Sequence, residues 1–154
     1  MTATLTAIPA VTRNAFADAI AAVLGKMDSR LRLDSLKQLS GGASQELWLI
    51  AADNAEMVLR RAPGGDSGKR DDAIGLVAEA GVMRAASAHG VPVPEILHVL
   101  EPEDGLGTGF LMRRVHGETV ARKIFRDERF AAVRPLLARA CGEILGRVAQ
   151  VPLD

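Results

Sequence analysis

The feature that most constrains this chain is a run of short apolar segments, separated by tight turn signals, in its first half. Leu31, Leu33 and Ser35 alternate with polar residues and are followed by 37–39 (KQL), and further strand-like segments occupy 47–50 (LWLI) and 57–60 (MVLR). Residues 40–44 and 53–54 separate them, and their Gly, Ser, Asn and Asp are typical of turns. Three short segments joined by tight turns predict three antiparallel strands.

Helical periodicity flanks this run on both sides. Apolar residues recur at helical spacing over 12–25, with Thr12 as the expected N-cap. A polar loop is expected over 63–72, followed by a helix over 73–88 that ends before Gly90.

Two more strands are predicted at 95–100 and 109–115, and the pattern after residue 117 is helical. Pro135 fits the first turn of the last helix. The fold class predicted from this order is α+β. It consists of a five-stranded antiparallel sheet with a helix inserted after the third strand, plus N-terminal and C-terminal helices.

Composition narrows the classes of function. The 19 basic and 19 acidic side chains of the 154 residues leave no basic excess, so we expect no nucleic-acid partner. No apolar stretch approaches the ~18 residues of a membrane span, so we expect no membrane partner. Cys141 is the single cysteine and has no internal disulfide partner, which favours a cytoplasmic protein. The three histidines lack metal-ligand spacing, and we expect no metal site among them.

An ordered set of short motifs carries a resemblance to a known family. The chain resembles the aminoglycoside phosphotransferase family over about residues 31–154, and especially the branch related to the kinase-like part of some acyl-CoA dehydrogenase fusions. The matching segments are 39–46 (LSGGASQE), 58–63 (VLRRAP), Glu79, 90–94 (GVPVP), 110–112 (FLM) and Gly117.

The resemblance implies the N-terminal lobe of a protein-kinase-like fold. Residues 1–11 would be a flexible lead, 12–117 the nucleotide-binding lobe, and 118–154 the helical start of a C-terminal lobe whose remainder is absent. The implied cofactors are ATP and magnesium.

The glycine-rich turn has two interpretations. Backbone N–H groups at Gly41 and Gly42 can approach a nucleotide phosphate closely, and the Ser44 hydroxyl adds a donor. Alternatively, this is a hairpin that simply needs glycines. No Gly-Lys-Ser/Thr follows, so it is not a Walker A loop.

Arg60 and Glu79 are the predicted charged pair. In kinases a strand Lys pairs with a helix Glu and orients the nucleotide phosphates. The resemblance assigns these roles to Arg60 and Glu79, although Arg replaces the usual Lys and differs from it in reach and geometry. The alternative is a solvated Arg60 and a Glu79 at the rim of its helix.

The resemblance also implies an adenine pocket. The Arg113 carbonyl and the Val115 N–H would bind the adenine edge, Met112 would lie at the back of the pocket, and Val58 would pack on the adenine face. Met112 is equally interpretable as a core side chain.

The family's catalytic loop, His-x-Asp-x-x-x-x-Asn, does not occur in these 154 residues. We therefore expect no catalytic residue and no magnesium ligand in this chain, which would be an inactive part of a longer kinase for a small-molecule hydroxyl. A homodimer through surface left exposed by the missing lobe is also expected. The alternative is a self-sufficient, non-catalytic module that binds a nucleotide or a protein, and the sequence downstream of residue 154 would distinguish the two.

Overall fold

The computed structural model describes residues 10–41, 45–64 and 74–152. Within these ranges no helix is both long enough and apolar enough to cross a membrane. The helices and strands are α1 (Ala10–Met27), β1 (Leu33–Gly41), β2 (Glu46–Ala52), β3 (Ala55–Ala62), α2 (Leu76–Ala88), β4 (Ile96–Val99), β5 (Thr108–Arg113), α3 (Ala121–Arg126) and α4 (Arg134–Val148), with short 3-10 turns at Pro102–Asp104 and Glu128–Phe130.

The five strands form one antiparallel sheet in the order β1-β2-β3-β5-β4. Helix α2 is inserted between β3 and β4 along the chain. The predicted α+β fold class and element order are confirmed, and the arrangement is that of a kinase-like N-terminal lobe. Pro135 lies in the first turn of α4, as predicted.

Two boundaries in the first third differ from the prediction. Helix α1 is already formed at Ala10, so Thr12 lies inside the helix and is not its cap. Strand β1 continues through Gly41, because Gly41 still pairs with Glu46 at the end of the β1–β2 ladder. Ser40 and Gly41 therefore belong to the strand, and the rest of the predicted turn, residues 42–44, lies outside the described part of the chain.

Two later boundaries also differ. Helix α2 begins at Leu76 with Gly75 as its N-cap, and the residues before 74 in the predicted polar loop lie largely outside the description. Strand β5 ends at Arg113, which pairs with Met57 near the start of β3. Val115 is therefore two residues beyond the strand in which it was predicted.

Each face of the sheet packs against one helix. On the α1 face, Trp48 of β2 packs against Phe16 of α1 with ring centroids 4.8 Å apart. On the α2 face, Leu76 and Ala80 pack against Phe110 of β5. The α1 core is the larger of the two, and its fully buried members include Ile20, Val23, Leu24, Ile50, Leu59 and Leu111.

Gly109 marks the closest approach between β5 and β3. A Cβ at this position would lie 2.3 Å from the Arg60 carbonyl oxygen, closer than real Cβ contacts. Only glycine lets the two strands meet at this register.

A buried carboxylate joins α1 to the connection between β4 and β5. The Asp104 side chain is fully buried and accepts hydrogen bonds from Lys26 of α1, from His98 Nε2 at 3.0 Å and from the Glu101 N–H at 3.0 Å. Burial by itself raises the pKa of the Asp104 carboxyl, but these three partners outweigh it and lower the pKa to about 2. The ionised carboxylate therefore holds helix and sheet connection together.

We predict that Asp104→Ala lowers the free energy of unfolding by about 2 kcal/mol at pH 7, because His98 and the Glu101 N–H lose their acceptor. The contribution is fully present above the unfolded-state pKa of about 4 and is lost as pH falls toward 2. Urea unfolding of wild type and variant at pH 7 and pH 3 measures both effects. The exposed neighbour Glu103→Ala is the control, with an expected change under about 0.5 kcal/mol. Equal losses in the two variants would contradict the assignment.

Candidate functional site

Strand β3 places three polar or half-buried side chains on one face of the sheet. Side chains alternate between faces along a strand, so Glu56, Val58 and Arg60 share the α2 face, while Met57 and Leu59 are buried on the α1 face. Every second residue of the central strand is therefore available for a site on the α2 face.

Arg60 and Glu79 form an ion pair across β3 and α2. Arg60 Nη1 lies 2.8 Å from Glu79 Oε1, and Arg60 Nη2 donates to Gln45 Oε1 at 3.1 Å. The side chains are 35% and 24% exposed, respectively. The predicted contact between the two side chains is confirmed, and Arg60 is paired while remaining partly exposed. The role of the pair toward a nucleotide stays a prediction.

Glu79 is only half-buried because the apolar face of α2 is narrow. Leu76 and Ala80 are buried, whereas Val82 is 58% exposed. One edge of the Glu79 carboxylate therefore remains open to solvent, and so does one edge of the guanidinium that it orients.

The predicted adenine-face residues lie side by side. Val58 pairs directly with Met112 on β5 and with Leu49 on β2, so the three side chains form a half-buried apolar strip on the α2 face. Met112 also packs against the α2 core cluster, as its alternative interpretation required.

The other two predicted adenine contacts are backbone groups of Arg113 and Val115, at and beyond the end of β5. Arg113 closes β5, and its side-chain Nε donates to Glu95 Oε2 at 2.7 Å. Val115 lies beyond the strand and is exposed. The roles of these two backbone groups toward adenine stay predictions.

The glycine-rich turn is only partly described. Gly41 is the last residue of β1, whereas Gly42 and Ser44 lie outside the described residues. Whether this turn approaches a phosphate therefore remains a prediction.

Sequence reasoning did not identify Gln45 and Glu56 as contributors. Gln45 Oε1 accepts a hydrogen bond from Arg60. Glu56 accepts a hydrogen bond from Arg114 Nη1 at 2.6 Å, and its other oxygen lies 3.0 Å from His116 Nε2. Because Glu56 precedes Val58 by two residues, the sequence already indicated that both lie on the same face of β3. The contacts with Arg114 and His116 had no local signal.

The Glu118 carboxylate accepts hydrogen bonds from the Thr119 and Val120 N–H groups directly before α3. Backbone N–H donation from Val120, together with Lys123 at 3.1 Å, lowers the pKa of Glu118 from its ordinary value. Across the three described ranges, no group of three or more His, Cys, Asp or Glu side chains converges into a metal site.

We predict a coupling energy of about 1 kcal/mol between Arg60 and Glu79 in a double-mutant cycle of Arg60→Met and Glu79→Gln. The pair is part-exposed, so it falls between surface and buried ion pairs. Urea unfolding of the four variants measures the coupling, and 1 M salt should reduce it. The control cycle on the exposed i,i+4 pair Arg139–Glu143 should give about 0.3–0.5 kcal/mol. Zero coupling at Arg60–Glu79 would show that the observed contact contributes nothing in solution.

Comparison with known proteins gives one family match. The sequence profile of the phosphotransferase enzyme family matches residues 35–154, which is most of the chain and includes the sheet, α2 and the C-terminal helices. No curated protein and no solved structure matches the chain. That the chain belongs to the branch related to the kinase-like part of acyl-CoA dehydrogenase fusions stays a prediction. The chain therefore belongs to the phosphotransferase enzyme family, the aminoglycoside-phosphotransferase-like group that its motifs predicted.

Proposed function

We propose that this chain provides the ATP-binding lobe of a kinase that transfers the γ-phosphate of ATP to a hydroxyl of a small molecule. The observation that carries the proposal is the 2.8 Å ion pair between Arg60 and Glu79, in a chain that belongs to a phosphotransferase family. A strand cation held by a helix carboxylate is the arrangement with which kinases orient nucleotide phosphates.

The residues on the α2 face fit a nucleotide. A guanidinium carries five N–H donors, and the bonds to Glu79 and Gln45 use only two of them, so Arg60 retains donors for phosphate oxygens. The apolar strip of Leu49, Val58 and Met112 offers a surface for a flat base. Bound ATP would supply the phosphoryl group, and the chain would hold the base and orient the phosphates.

The proposal also includes the metal ion and the cellular compartment. Magnesium would be bound by residues other than those described here, in keeping with the absence of the His-x-Asp-x-x-x-x-Asn pattern from the sequence. We place the protein in the reducing cytoplasm, where an exposed thiol such as that of Cys141 remains reduced.

We predict that the purified chain binds ATP and that Arg60→Ala weakens binding at least about ten-fold, because a charge-assisted hydrogen bond is lost. Arg60→Lys, which keeps the charge, should retain more affinity than Arg60→Ala. Isothermal titration calorimetry with ATP and magnesium measures the affinities. The control is Arg139→Ala, which breaks an exposed ion pair on α4.

Binding that is the same in Arg60→Ala and Arg139→Ala would contradict the proposed phosphate contact. In the same samples we expect no magnesium-dependent phosphate release, since the chain lacks the catalytic-loop pattern. Measurable phosphotransfer would show that other residues perform the chemistry.

We also propose that the C-terminal helices mediate self-association. Phe125 of α3 and Leu136, Leu145 and Val148 of α4 are exposed, and Leu145 is 68% exposed. Exposed apolar patches favour association. Light scattering over a concentration series should show a dimer, and Leu145→Glu should shift it toward monomer. A wild-type chain that stays monomeric at high concentration would contradict this.

A further inference from the structure

One carboxylate holds the segment that follows β5, which we call the linker segment (residues 114–120). This segment has no regular secondary structure before α3 begins at Ala121. Glu56 Oε1 accepts from Arg114 Nη1 at 2.6 Å, and Glu56 Oε2 lies 3.0 Å from His116 Nε2. The Glu56 carbonyl also accepts from the Arg114 N–H at 3.1 Å. Three contacts from a single β3 residue therefore fix two residues of the linker segment.

The position of Glu56 connects these contacts to the candidate site. Glu56, Val58 and Arg60 occupy successive positions on the α2 face of β3. Val58 offers the apolar surface for the base and Arg60 the cation for the phosphates, as argued above. The third position of the same strand face contacts the linker segment, which contains the proposed adenine contact of the Val115 N–H and directly follows the other one, the Arg113 carbonyl.

We propose that Glu56 is a positioning residue for nucleotide binding, which fixes the linker segment at the distance from β3 that an adenine ring requires. This inference rests on the proposed function. Glu56 touches no nucleotide atom in this scheme. It acts through Arg114 and His116, whose backbones flank Val115.

The charges favour this role. The Glu56 side chain is about one-third exposed and Arg114 is 34% exposed, so the pair is partly shielded from water and salt. His116 is more exposed and contributes less. Arg114 donates to Glu56 from its side chain and from its backbone N–H, and the two bonds together set an orientation as well as a distance for this residue.

The first experimental arm measures the linker segment directly. Hydrogen exchange with mass spectrometry on peptides covering 114–120 is compared in wild type, Glu56→Gln and Glu143→Gln. We expect exchange about five-fold faster in Glu56→Gln, the effect of losing a part-exposed ion pair. The matched control Glu143→Gln removes an exposed ion pair on α4 and should leave these peptides unchanged. Equal exchange in all three proteins would overturn the inference.

The second arm separates base from phosphate recognition. Affinities for ATP and for inorganic tripolyphosphate are measured with the same proteins and with Arg60→Ala. Glu56→Gln should weaken ATP about five-fold and leave tripolyphosphate unchanged, whereas Arg60→Ala should weaken both. Equal losses for both ligands in Glu56→Gln, or no loss for ATP, would overturn the positioning role.

The two arms keep this inference distinct from the proposed function. If the wild-type chain binds neither ligand, the proposed function fails, and the role of Glu56 in nucleotide binding fails with it. The exchange arm would then still decide whether Glu56 fixes the linker segment.

Discussion

The two-residue alternation of β3 is the constraint on which the rest of this structure depends. The strand pairs with β2 on one side and β5 on the other, so it cannot shift without breaking two ladders. A one-residue slip would move Met57 and Leu59 out of the α1 core and place Glu56 and Arg60 there instead. The hydrophobic requirement of one face therefore fixes the polar residues of the other face in position.

Buried and half-buried carboxylates join the elements that the sheet does not. Glu79 joins α2 to β3, Asp104 joins α1 to the β4–β5 connection, and Glu56 joins the linker segment to β3. Each takes its partner from a distant part of the chain. The hydrophobic effect is non-directional, whereas a charge-assisted hydrogen bond has a preferred direction and distance. Asp104, with three donors, constrains the meeting of its elements most strongly.

Arg60 stands where kinases usually have a lysine, so the ion pair with Glu79 is kept but its hydrogen-bonding geometry differs. The arginine fork contacts both Glu79 and Gln45, whereas a lysine ammonium would act as a single point charge on a flexible stem. The guanidinium is consequently held from two sides, by α2 and by the start of β2. A phosphate that approached it would meet donors already fixed in direction, which lowers the entropy lost on binding.

Much of the fold could be predicted from local pattern. The order of helices and strands followed from period-2 and period-3.6 spacing and from glycine and proline positions, because these signals lie within a few residues of one another. The predicted ends of helices and strands were less accurate. Gly41 and Arg113 showed that a strand extends as far as its neighbour pairs with it, and that limit is set by another part of the chain.

The sequence by itself determined the fold class and the family resemblance, and its motif order identified Arg60 and Glu79 as candidate partners. Only the tertiary structure decided that Gln45 joins that pair, that Glu56 holds the linker segment, and that Asp104 anchors α1. Glu56 and Arg114 are 58 positions apart, and Lys26 and Asp104 are 78 apart. No local periodicity links such positions, and they meet only because the strand register and the packing of α1 bring them together.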